Sequence, residues 1–215
     1  MKGLFSLYKR SSKELFGGGV GNSVLNMVIC AMLIAMYTVL EFISIDITVA
    51  KINFAFIPLA AIGMLYGPTV GLAAGGICDV MGFLVKPTGA FLPIYTILGC
   101  VQGMIYGLML YRKWGNVWSD EPKGRIFGLD LTQLSIRIIA ARLIDVLFIN
   151  MLCNTYANIH YGFIPAKSLS VIITERLAKN LIELAADLPL LLTILPVILA
   201  IYSRTMARSG RALEK

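Results

Sequence analysis

Six runs of apolar residues, at about 24–43, 52–65, 69–85, 91–110, 131–152 and 169–202, decide what this chain can fold into. A helix needs about 20 apolar residues to cross a bilayer. Within the hydrocarbon every backbone N–H and C=O must find its partner inside the protein, which permits helices or closed barrels. Runs of this length call for helices. Six crossings at about 20 residues each leave no room for a second, soluble domain in 215 residues. Composition agrees, with 14% charged residues and a mean hydropathy of +0.79, where soluble domains carry about 25% charged residues. The expected fold is an all-α integral membrane protein, a six-transmembrane-helix bundle.

Two runs are irregular. The second is short, about 14 residues, and is joined to the third by Tyr66-Gly67-Pro68. It crosses a locally thinned bilayer or lies enclosed in protein, or the pair forms a re-entrant hairpin. The sixth is overlong and contains Pro189 and Pro196, which implies tilt or an interfacial extension.

Counting Lys and Arg by segment gives the orientation. Residues 1–23 hold Lys2, Lys9, Arg10 and Lys13; the loop 111–130 holds Arg112, Lys113, Lys123 and Arg125; the tail 204–215 holds Arg204, Arg208, Arg211 and Lys215. The opposite loops, 44–51, 86–90 and 153–168, hold Lys51, Lys86 and Lys167. Twelve against three predicts a plasma-membrane protein with both termini cytoplasmic. Its parts are a basic N-terminal segment 1–23, a membrane domain 24–203 with the cytoplasmic loop 111–130, and a basic tail 204–215. The net charge of +7 thus marks inner loops rather than nucleic-acid binding. Run 24–43 is too long for a signal peptide and lacks a convincing cleavage site.

Chemistry is sparse. Cys30, Cys78, Cys100 and Cys153 are far apart, without a CxxC or a His/Cys cluster, so neither a disulfide framework nor a zinc site is expected. His160 is the one histidine. There is no HExxH, no Asp-rich metal motif and no Walker motif. No catalytic residues, metal or cofactor are expected, and any ATP dependence has to come from other chains.

Small residues form stripes. Gly67, Gly71 and Gly75 recur every four residues, as do Gly99, Gly103 and Gly107, which lets helices approach closely. Ala31 and Ala35 make a similar pair on the first run, where contact with another protein is the alternative to internal packing.

Charges inside apolar runs must be paired or face a polar cavity, because each costs about 2.5–3.5 kcal/mol at the bilayer centre on insertion scales. Glu41, Glu175 and Arg137 lie near boundaries, where snorkelling makes them cheap. In the sixth run Arg176, Lys179, Asn180, Glu183 and Asp187 fall within an arc of about 100°. Asp79 from the third run and Arg142 and Asp145 from the fifth lie at comparable depth. Arg142 is expected to pair with Asp145. The group as a whole, ringed by Asn53, Phe54, Phe56, Phe91, Tyr95, Asn154, Tyr156 and Tyr161, is expected to line a ligand cavity open to the outside.

Phe54-Ala-Phe-Ile-Pro58, Gly63-Met-Leu-Tyr-Gly67-Pro68, Asp79-Val-Met-Gly82, Lys86-Pro-Thr-Gly89-Ala-Phe91-Leu-Pro93 and Gly103-Met-Ile-Tyr-Gly107 resemble the folate-type substrate-binding (S) subunit of energy-coupling factor (ECF) transporters. Arg176-Leu-Ala-Lys179-Asn180 resembles that family's last-helix motif. The likeness covers about residues 24–202. Ile94-Tyr95-Thr96-Ile97 departs from it, as do Arg137, Arg142 and Asp145.

The resemblance implies a subunit that captures folate from outside and delivers it with a transmembrane coupling protein and two cytoplasmic ABC-type ATPases. It also implies that Ala31 and Ala35 contact the coupling protein. For folate, Asp79 would accept hydrogen bonds from the pterin edge, and Phe54, Phe91 and Tyr95 would stack on the rings. Lys86, Arg176 and Lys179 would neutralise the glutamate, while Asn53, Asn154, Tyr161 and Asn180 would supply neutral contacts. Another vitamin, pantothenate-like, and a stand-alone secondary transporter are the alternatives.

Overall fold

The computed structural model describes residues 20–46, 51–87, 90–111, 125–126, 129–161 and 169–213. The basic clusters of the N-terminal segment and most of those in loop 111–130, together with Lys167 and Lys215, lie outside the described residues.

Six helical spans form a bundle. They are α1 (Val20–Ile43), α2 (Phe56–Tyr66), α3 (Pro68–Val85), α4 (Pro93–Leu110), a fifth in three pieces, and α7 (Leu169–Leu213). The fifth runs without a break through α5 (Leu131–Ile144), a π-helical segment (Asp145–Cys153) and α6 (Asn154–His160). α1, α3, α4 and α7 are each long and apolar enough to cross a membrane. Two short antiparallel ribbons join the spans. β1 (Ile45–Asp46) pairs with β2 (Lys51–Ile52), Ile45 opposite Ile52; β3 (Arg125–Ile126) pairs with β4 (Leu129–Asp130).

The short second span is resolved by enclosure. All eleven residues of α2 are buried, so its 11-residue length need not match the lipid. It ends at Gly67, whose φ of 87° favours glycine. The Gly67 N–H closes on the Gly63 carbonyl at 2.9 Å, and Pro68 then opens α3, where its missing N–H costs nothing.

The glycine stripes pack within the chain. A Cβ on Gly75 would lie 2.1 Å from the Gly99 oxygen, and one on Gly71 would lie 2.3 Å from the Gly103 oxygen. α3 and α4 therefore run antiparallel with backbones in contact, and Gly63 of α2 meets Gly107 in the same way. Dispersion and close approach hold such helices together, because lipid tails are as apolar as Leu.

The fifth span departs from expectation. Residues 154–160, expected in the outer loop 153–168 because the apolar run ends at 152, continue the helix. Ala157 packs inward at 3% exposure and anchors that extra turn.

At the end assigned to the cytoplasm, Asn26 of α1 ties two helices to itself. Its backbone carbonyl accepts from the Tyr66 hydroxyl at 3.0 Å and its Oδ1 from the Tyr202 hydroxyl at 2.8 Å. The two rings meet edge to face at 6.1 Å. A buried hydrogen bond contributes about 1 kcal/mol net. Tyr202→Phe should therefore lower the melting temperature by about 2–4 °C and leave ligand affinity unchanged. An unaltered melting temperature in a thermal-shift series would remove Asn26 from the helix-tying role.

Candidate ligand-binding cavity

A cavity of about 590 Å³ opens between the spans, within the usual size range of small-molecule sites. Every span supplies wall. Tyr37 and Glu41 come from α1, Phe56 from α2, Asp79, Gly82 and Phe83 from α3, and Tyr95, Leu98, Gly99 and Gln102 from α4. Arg142, Ile149, Asn150, Asn154 and Asn158 line the fifth span from the floor upward, and Arg176, Lys179, Asn180, Glu183 and Asp187 descend the sixth. Asn53, Lys86, Ala90, Phe91 and Leu92 complete the mouth.

Of the eleven binding residues named from sequence, nine line this cavity: Asn53, Asp79, Lys86, Phe91, Tyr95, Asn154, Arg176, Lys179 and Asn180. Phe54 and Tyr161 do not. Phe54 precedes α2 and is 40% exposed, while Phe56, two residues on, turns inward. Tyr161 follows the end of α6, 45% exposed and edge-on to the His160 ring at 5.2 Å. Glu41, set aside as a boundary residue, belongs to the wall. Gln102 and Asn158 were also missed. Helical spacing was the available signal for Gln102, which follows Tyr95 and Leu98 on one face of α4.

At the mouth, Lys86 Nζ donates to the carbonyl and hydroxyl oxygens of Ser44, at 2.7 and 3.0 Å. Asn53 Nδ2 donates to Glu41 Oε2 at 2.6 Å, and Asn53 Oδ1 accepts the Ala55 N–H at 2.8 Å. These bonds tie Ser44 and Asn53, the residues flanking the β1–β2 ribbon, to the ends of α1 and α3. Half-way down, the Thr96 hydroxyl donates to Asp79 Oδ2 at 2.7 Å and fixes the carboxylate. Thr96 lies in the stretch that departs from the family pattern.

The floor is ionic. Arg142 Nη1 donates to Asp145 Oδ2 at 2.6 Å, the pairing expected from sequence, and Nη2 donates to Asp187 Oδ2. Gln102 and Tyr106 also donate to Asp145 Oδ2, each at 3.1 Å. The Phe56 ring covers the guanidinium at 4.3 Å. Lys179 sits 3.6 Å from Glu183 along α7. Among the described residues, Arg142 Nε, Asp145 Oδ1 and Asn180 Nδ2 are buried with no hydrogen-bond partner, which is unusual for buried polar atoms. The cavity thus combines carboxylates, cations, amides and aromatic rings, a lining fitted to a ligand that is both charged and aromatic. Ala31 and Ala35 are exposed on α1, away from it.

Residues 21–184 match the model of the S component of ECF-type riboflavin transporters. The folate transporter FolT of Clostridium novyi is 30% identical over 159 residues, 73% of this chain and 79% of that protein. FolT of Streptococcus mutans is 36% identical over 95 residues, 42% of this chain and 51% of that protein. The crystal structure of FolT bound with folic acid has a similar fold, with a TM-score of 0.58 at 24% identity, covering 77% of this chain and 89% of that one.

Proposed function

The chain belongs to the S components of ECF-type transporters, and from that membership we propose that it captures folate in the cavity and passes it inward. Its partners in that task are a transmembrane coupling protein and two cytoplasmic ABC-type ATPases. The exposed Ala31 and Ala35 on α1 are the contact for the coupling protein.

The observation that carries the ligand is a carboxylate held in place in a cavity that also contains three cations, Lys86, Arg176 and Lys179. Folate is a pterin with a donor-rich edge, a benzoyl ring and a dianionic glutamate. Asp79, oriented by Thr96, accepts the pterin amino and ring N–H as a charge-assisted pair. Phe91 and Tyr95 stack on the rings, with Phe56 in the place assigned to Phe54. The cations receive the two carboxylates near the mouth, where desolvation costs least. Lys86, bonded to Ser44, holds the end of α3 against the residue that follows α1 at the mouth.

Riboflavin is the second reading, carried by the likeness of residues 21–184 to the S component of riboflavin transporters. It has no carboxylates to set beside Lys86, Arg176 and Lys179. Isothermal titration of the purified, ligand-stripped protein separates the two. Folate should bind one to one, and Asp79→Ala and Arg176→Ala should each weaken it at least tenfold, about 1.4 kcal/mol. Silence towards folate with a response to riboflavin would reassign the cargo. Unchanged affinity in either variant would remove that residue from the site.

A further inference from the structure

One wall of the cavity carries an array of amides of which only Asn154 was expected to touch the ligand. Asn150, Asn154 and Asn158 follow one another at intervals of four along the fifth span, and all three line the cavity. Asn154 Nδ2 donates to Asn150 Oδ1 at 3.1 Å, and the Tyr95 hydroxyl donates to Asn158 Oδ1 at 2.8 Å. These two bonds use one end of each amide. What remains is Nδ2 on Asn150, Oδ1 on Asn154 and Nδ2 on Asn158: donor, acceptor, donor. That sequence complements a secondary amide, whose carbonyl accepts and whose N–H donates.

The π-helical segment is what brings this ladder to the same wall as Arg142. An i→i+5 helix turns by about 80° per residue, where an α-helix turns by about 100°. Over the nine residues Asp145–Cys153 the difference accumulates to about half a turn. With α-helical geometry throughout, Asn154 would be carried well round the helix from Arg142. Instead both line the cavity, while Leu147, Phe148 and Leu152 point outward. Such widened helices are uncommon and concentrate at functional sites.

We infer that the ladder reads the secondary amide linking folate's benzoyl ring to its glutamate. Asn154 Oδ1 accepts the amide N–H, and a neighbouring Nδ2 donates to the carbonyl. This rests on the folate reading and deepens it, making Asn154 a specificity-determining residue. The three parts of the ligand then meet three different walls, with the amide between the pterin at Asp79 and the glutamate at the cations.

The test is a cycle of two ligands and two proteins, read by titration calorimetry. The ligands are folate and its ester isostere, in which oxygen replaces the amide N–H while both rings and both carboxylates stay. Wild type should prefer folate at least tenfold. Asn154→Ala should weaken folate by about that same factor, leave the isostere within twofold, and so bring the ratio near one. Equal weakening of both ligands indicates a purely structural role and overturns the inference, as does a wild-type ratio near one. A wild type that binds neither ligand overturns the folate reading and this inference with it. Folate binding with an unchanged ratio in the variant overturns this inference alone.

Discussion

Arg142→Met should destabilise the protein by about 3–5 kcal/mol, the range for removing one partner of a buried ion pair. Arg142 is 5% exposed and bridges Asp145, at 0% exposure, to Asp187. It also donates to the Tyr106 hydroxyl at 3.0 Å. Without it, two carboxylates remain in a site that Phe56 and Ile149 help to close, and the cost of their burial is no longer offset by a cation. The fifth span then loses its polar tie to α7, and the cavity loses its floor. Replacing all three charges with Met and Leu should recover most of the melting temperature, since a buried ion cluster and an apolar replacement of similar volume are often nearly equal in stability. A single variant that melts like wild type would show that solvent reaches the cluster freely. A triple variant as unstable as the single one would show that packing around Arg142, not its charge, holds the helices.

Sequence reasoning works here where one periodicity governs the residues. The polar arc of α7 is an example: Arg176, Lys179, Asn180, Glu183 and Asp187 share a face by helical spacing alone, and all five line the cavity. The glycine stripes were legible for the same reason, because intervals of four define a backbone-to-backbone seam whatever lies opposite. The failures occur where the chain leaves that rule. The segment Asp145–Cys153, apolar but for Asp145 and Asn150, reads as ordinary α-helix, since its widening changes hydrogen-bond partners without marking any residue. Asn150 and Asn158 were missed with it. Phe54 and Phe56 compete for one inward position in a segment that is still turning into α2, and nothing local decides between them. Glu41 was judged by depth in the membrane, but the decisive factor was its partner Asn53, which the pairing of β1 with β2 brings back to the end of α1.

Gly103→Ala should have a comparable effect through sterics alone, costing about 3 kcal/mol or more, at the upper end for overpacking. Its Cβ would stand 2.0 Å from the Gly71 carbonyl oxygen and 2.8 Å from the carbonyl carbon. Both are backbone atoms of a helix, so no side-chain rotation relieves the contact, and α3 and α4 must separate. That seam continues upward through Gly75 and Gly99 to the Thr96–Asp79 hydrogen bond at 2.7 Å, which crosses the same two helices. Parting them at Gly103 loosens the carboxylate proposed to hold the pterin, so affinity should fall along with stability. Gly76→Ala is the matched comparison. Its Cβ would meet Cys100 Sγ at 2.7 Å, the end of a short side chain that has other rotamers, with nothing else closer than 3.9 Å. Thermal unfolding of the two variants should separate them clearly, with Gly76→Ala near wild type. If both melt together with wild type, the two backbones do not touch in the membrane.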